Sequence, residues 1–298
     1  MIPGSSTLAA TSFGLAAAAF WGGGDFTGGL ATRRASPFVT IAVAHGISLA
    51  ALLGIVVAWR IPAPSPYIQF MGVLSGLVAG LGVVLFYKAL SLGEMGLSAA
   101  IAGLISAAIP VLFSFFTEGL PHPVQIVGIL LAVVAIWLIA SAPGTTAPKT
   151  LVMATLAGIS FGVYFIQLKI TGAGGVTWAL TLARIGSFVL AIGVCAIQVT
   201  IRAFRRATPA PDAGVRRSPF FNPAFLALAV LTCVLDTGGN MFYTLATTVG
   251  RLDVAAVISS LYPAGTILLA TLVLKEKTTR THAIGMLLAL AAVVLISI

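Results

Sequence analysis

The chain has 298 residues, of which 59% are hydrophobic and 8% charged, with mean hydropathy +1.11. A soluble domain carries about 25% charged residues, so this chain has too little polar surface to face water on all sides, and its solvent is mostly lipid. The formal net charge of +9 does not mark a nucleic-acid binder, because the basic residues are scattered between apolar runs and sort by side.

Ten apolar runs follow one another, at roughly 8–31, 38–59, 67–92, 96–117, 123–141, 150–171, 176–201, 223–249, 253–274 and 281–298. Their length suits a helix crossing the hydrocarbon core. The alternation over about ten residues that marks a membrane β-barrel is missing. The expected fold is therefore an all-α membrane protein of ten transmembrane helices. The first run reads as a true span, since no Lys or Arg precedes Arg33 to form the basic start of a leader.

The first run contains FWGGGDFTGG, which places Trp21 and Asp25 four residues apart and hence on one helical face. Gly24 and Gly28 have the spacing that lets a neighbouring helix approach. Asp25 is a candidate for a polar cavity, or alternatively an interfacial cap or partner to Arg33. The second run carries His45. The third carries Gly72, Gly76 and Gly80, read as packing positions, then Tyr87 and Lys88. Lys88 either faces the cavity or snorkels to the interface. The fourth holds Pro110. Tyr164 and Gln167 mark the sixth run; Trp178, Arg184 and Cys195 the seventh.

The eighth run, LDTGGNMFYTLA, is the sharpest case, because Asp236, Asn240 and Tyr243 recur at helical spacing. Such a stripe is badly placed against acyl chains but offers a cavity a carboxylate, an amide and a phenol. Cys233 precedes it, and both cysteines are expected as buried free thiols. The ninth run contains Tyr262 beside Pro263. An Asp, Lys or Arg at a span centre costs about 2.5–3.5 kcal/mol on insertion scales. Asp25, His45, Lys88, Arg184 and Asp236 therefore stand out as intramembrane charge partners, with the pairing between them open. Asp236 first and Asp25 second are the proton-coupling candidates.

With ten spans, the loops of one side hold Arg33, Arg34, Lys149, Arg202, Arg205, Arg206, Arg216, Arg217, Lys275, Lys277 and Arg280, and those of the other only Arg60, Lys169 and Arg251. Basic loops stay inside. The arginine-rich 202–217 loop is thus expected to be cytoplasmic and both termini outside.

The chain also repeats itself. FYKAL (86–90) matches FYTLA (242–246), ISAAIP (105–110) matches ISSLYP (258–263), and GILLAVVAIWLIA (128–140) matches GMLLALAAVVLIS (285–297). Upstream, LAAAAFWG (15–22) matches LAGISFGV (156–163), and AVAHGISL (42–49) matches TLARIGSF (181–188). Two five-helix halves, 1–145 and 146–298, are expected to meet near Pro143–Pro148. An odd number of spans per half inverts the second copy, an arrangement suited to alternating access around a central site.

In this order the motifs FWGGGDF, FYKALSLGE, ISAAIP, TEGLP and LKEKTTR resemble the drug/metabolite transporter superfamily, its ten-span members with two EamA-type repeats, and among these the exporters of amino acids, aromatic ones included. The resemblance implies a secondary transporter with a central cavity walled mainly by helices 1, 3, 4, 6, 8 and 9. His45 stands where the second half has Arg184.

The substrate-binding candidates are Trp21, Asp25, Tyr87, Tyr164, Asp236, Asn240, Tyr243 and Tyr262. Nucleotide loops, HExxH and paired-cysteine spacings are missing, so no ATP drive, metal or other cofactor is expected. The expected partners are a small-molecule substrate and membrane lipid, with no nucleic acid and a monomer sufficient in principle. The reading is export of small amphipathic metabolites, most readily amino acids, across the inner membrane and possible proton coupling. A passive channel is the alternative, and an intramembrane enzyme built on a carboxylate pair a more distant one.

Overall fold

The computed structural model describes residues 3–92, 95–140, 148–205, 222–275 and 280–297. Residues 143–147 of the expected boundary, 206–217 of the arginine-rich loop, and Glu94, Glu276 and Lys277 lie outside them.

The described residues are helical: α1 (Pro3–Thr32), α2 (Pro37–Ala58), α3 (Pro66–Leu92), α4 (Met95–Thr117), α5 (Pro123–Ala140), α6 (Pro148–Gly172), α7 (Val176–Arg205), α8 (Pro223–Val249), α9 (Leu252–Ser259), α10 (Tyr262–Leu274) and α11 (Arg280–Ser297). Proline opens several of them, where its missing N–H costs nothing and its fixed φ suits the first turn. Ser36 and Asn222 cap α2 and α8, accepting from Val39 N at 3.3 Å and Ala224 N at 3.0 Å. Tight reversals after α4 and α6 use Gly119 and Gly175 at φ +77° and +93°, a region that glycine enters without strain.

Each apolar run falls on helix, with one departure. The ninth is two helices, α9 and α10, parted at Ser260–Leu261, where Pro263 has no N–H to donate to the Ser259 carbonyl. Instead Leu261 N bonds back to Ile258 O at 3.2 Å and Ala264 N to Leu261 O at 3.0 Å. Among the described residues, six stretches are long and apolar enough to cross a membrane: α2, α3, α6, residues 176–201 of α7, α8, and α9 with α10. Shorter apolar helices cover Ile101–Thr117 and Pro123–Ala135. α1 is diluted by Gly22–Gly24, Gly28, Gly29 and several hydroxyl residues. Large apolar side chains such as Val57, Phe70, Leu130 and Leu272 stand exposed on the outside, as lipid-facing helices require.

Packing follows a regular pairing. α1 lies along α8 and α6 along α3; α1 also meets α9 and α10, and α6 meets α4; α2 touches α8, and α7 touches α3; α2 pairs with α7 and α5 with α11. Small residues permit the closest approaches. A Cβ on Gly76 would collide with the Ala183 carbonyl, and one on Gly186 with that of Val73, so α3 and α7 touch backbone to backbone. Between α1 and α8, the Thr232 hydroxyl donates to Thr27 Oγ1 at 2.9 Å. Cys195 and Cys233 are free thiols, Cys233 buried and Cys195 half-buried.

Candidate substrate cavity

Where these pairs converge, a cavity opens inside the bundle. It is lined by Trp21 and Asp25 of α1, His45 of α2, Ala79, Val83 and Tyr87 of α3, Phe161, Tyr164 and Phe165 of α6, Arg184 of α7, Asp236 and Asn240 of α8, and Tyr262 of α10. Asp236 lies midway along α8 and Tyr262 opens α10 at the break. The cavity volume is about 40 Å³, which holds a few waters, so an organic solute enters only when the walls move apart.

One wall carries a continuous polar chain. The Tyr164 hydroxyl donates to Asn240 Oδ1 at 3.0 Å, and Asn240 Nδ2 donates to Asp236 Oδ1 at 3.2 Å. Arg184 Nη2 donates to Asp236 Oδ2 at 2.5 Å, forming an ion pair. The other guanidinium nitrogens are also engaged, Nε with Ser48 Oγ at 3.0 Å and Nη1 with His45 Nε2 at 3.4 Å. His45 Nε2 also lies 3.5 Å from Asp236 Oδ2. Accepting from Arg184 through Nε2 leaves His45 Nδ1–H for Ser187 Oγ, 2.7 Å away. Arg184 is 3% exposed, and a charge so placed is tolerable only with such partners.

Much of the remaining lining is aromatic. Trp21 stacks on Phe165 with centroids 5.0 Å apart, and Phe165 meets Tyr243 at 4.6 Å. Tyr262 stands edge-on to Trp21 and to Phe86, each at 6.4 Å. Asp25 is half-buried among these rings. Among the described residues its carboxylate makes no hydrogen bond or ion pair, although it is near enough to Tyr87, Tyr262 and Asp236 to act on them electrostatically. Tyr262 is buried and its hydroxyl forms no hydrogen bond among the described residues. Gly28 makes room for Tyr87, whose ring occupies the space a Cβ would need.

Of the sequence candidates, Trp21, Asp25, Tyr87, Tyr164, Asp236, Asn240 and Tyr262 line the cavity, and so do the charge partners His45 and Arg184. Tyr243 does not. It is fully buried behind Phe165, donating to that residue's carbonyl at 3.3 Å. Lys88 is exposed and outside the lining. The walls include α2 and α7, which the sequence reading had not assigned, and among the lining residues none comes from α4.

A second polar cluster sits nearer one end of the bundle. Lys169, four residues beyond Phe165 on α6, forms an ion pair with Glu118 at the end of α4. Glu118 Oε2 accepts from Leu252 N at 3.0 Å, capping α9. Arg251 Nη1 and Nη2 donate to the Glu118 and Gly119 carbonyls at 3.1 and 2.7 Å, and Nη2 also to buried Asp253 at 2.8 Å. Beyond it an open depression of about 520 Å³ is bordered by Thr7, Thr248 and Arg251. Sequence reasoning counted Lys169 and Arg251 only as loop charges. The available signal was that Glu118 and Asp253 fall at the same end.

A solved crystal structure is similar to this chain in fold, with TM-score 0.70, 19% identity, and coverage of 97% of this chain and 98% of that one. No curated protein matches. The EamA-like transporter family profile matches twice, at residues 8–141 and 148–298. A chain matched over both halves in this way belongs to the EamA-like transporter family.

Proposed function

We propose that this membrane transporter is a secondary carrier of ten spans, built as two inverted five-helix repeats, 1–145 and 146–298, that alternate in exposing the cavity. The carrying observation is that cavity: a site level with the middle of α8, walled by helices of both halves and lined by polar and aromatic side chains. The doubled family match supports the repeat, and so does the pairing. Exchanging α1–α5 for α6–α11 turns α1·α8 into α6·α3 and α2·α8 into α7·α3, while α2·α7 and α5·α11 map onto themselves. Inverted repeats around a midplane site suit alternating access. The Glu118–Lys169–Arg251 cluster ties α4 to α6 and α9, and fits a gate on the side opposite the basic loops.

The basic loops favour an inner-membrane protein with the 202–217 loop cytoplasmic and both termini outside. The family resemblance supplies export, and the amphipathic walls suit small metabolites, with amino acids and related compounds the first class to test. For proton coupling, the pairing favours Asp25 over Asp236. Protonating Asp236 would strand Arg184, whereas Asp25 has no ion-pair partner among the described residues to lose.

The test is counterflow of a labelled amino-acid and amine panel in proteoliposomes, with and without a pH gradient. Saturable counterflow is expected. Linear flux without counterflow would replace the carrier with a channel. Loss of the pH response in Asp25→Asn, read at saturating concentrations of a solute that the variant still carries, with Asp236→Asn losing transport altogether, is the expected pattern for coupling at Asp25.

A further inference from the structure

With Asp25 ionised, the charges of the cavity do not balance. Asp236 is neutralised by Arg184, and each guanidinium nitrogen is already engaged by Asp236, His45 or Ser48. His45, accepting from Arg184, adds no charge. Asp25 is left as a carboxylate without an ion-pair partner among the described residues. Tyr262, 3% exposed, lines the same cavity, and its hydroxyl, with Ser106 of α4 beside it, meets no hydrogen-bond geometry among the described residues. Trp21 and Tyr87 line the same space. A carboxylate, a free phenol oxygen and aromatic rings are what an ammonium group binds to. A substrate carboxylate would meet two like charges here and no free cation.

We propose that the cavity selects an organic amine bearing one positive charge and no free carboxylate, its ammonium held by Asp25 and the Tyr262 hydroxyl against Trp21 and Tyr87. The proposal rests on the reading of the cavity as the substrate site, and narrows it away from zwitterionic amino acids.

Three probes share one ring and differ only in charge: phenethylamine, phenylalanine and 3-phenylpropionate. Titrated by calorimetry onto the full chain in detergent, phenethylamine should bind at least about tenfold tighter than phenylalanine, with 3-phenylpropionate weakest. Asp25→Asn should abolish the preference and Asp25→Glu largely retain it. Tyr262→Phe, which deletes only the unpartnered hydroxyl, should weaken the amine about three- to tenfold and leave 3-phenylpropionate unchanged. Equal or tighter binding of phenylalanine, binding of none of the probes, or an amine preference that survives Asp25→Asn overturns the proposal. Amine binding without counterflow in proteoliposomes would overturn the carrier reading and leave the assignment of the cavity standing. Amino-acid counterflow without amine binding would do the reverse.

Discussion

Arg184 and Asp236 illustrate what single residues contribute. Removing either partner of a buried ion pair leaves the other uncompensated and typically costs about 3–5 kcal/mol. Arg184→Gln and Asp236→Asn should therefore each lower the thermal midpoint in detergent sharply, while the double variant should lose less than the two losses combined, by a coupling of about 1–3 kcal/mol. Additive losses would show that the pair does not act as a unit. The sequence marked both residues, because a charge within an apolar run is visible by itself. Their pairing was not legible, since residues 52 positions apart meet only once α7 and α8 are side by side. The difference between Asp25 and Asp236 was hidden for the same reason. Both look alike as carboxylates in greasy runs, and only the neighbours supplied by other helices separate them.

At the scale of elements, the helices were readable because length and apolarity are local properties of a span. Their contacts are set by shape. Gly76 and Gly186 bring α3 and α7 together at backbone distance, and Gly76→Val should push these helices apart and abolish folded yield, measured as monodisperse protein after extraction. A Cβ on Gly54 or Gly193 would meet nothing within 4 Å, so alanine there should leave yield intact and raise the thermal midpoint, since Ala exceeds Gly in a helix by about 1 kcal/mol. If Gly76→Val also folds normally, the close approach is not required. The break between α9 and α10 was only half visible. Pro263 was evident in the sequence, but Pro110 sits inside a continuous α4, so proline alone does not decide between a break and an unbroken helix.

At the scale of the molecule, the Glu118–Lys169–Arg251 cluster joins helices at one end of the bundle. If it holds that end shut, Arg251→Gln should open it, removing the donors to the Glu118 and Gly119 carbonyls. The readout is labelling of Ala79→Cys, a cavity position, from that side in a background lacking Cys195 and Cys233. The labelling rate should rise about tenfold or more, whereas an unchanged rate would make the cluster a fixed joint. The pairing of α1 with α8 has a further consequence, in the time taken to make the chain. Thr27 bonds to Thr232, 205 residues later. At about 5–20 residues per second of synthesis, α1 waits on the order of 10–40 seconds in the bilayer before its partner is translated. Throughout that interval the face of α1 that carries Gly23 and Gly24, against which Leu235 and Asp236 later pack, is without its partner.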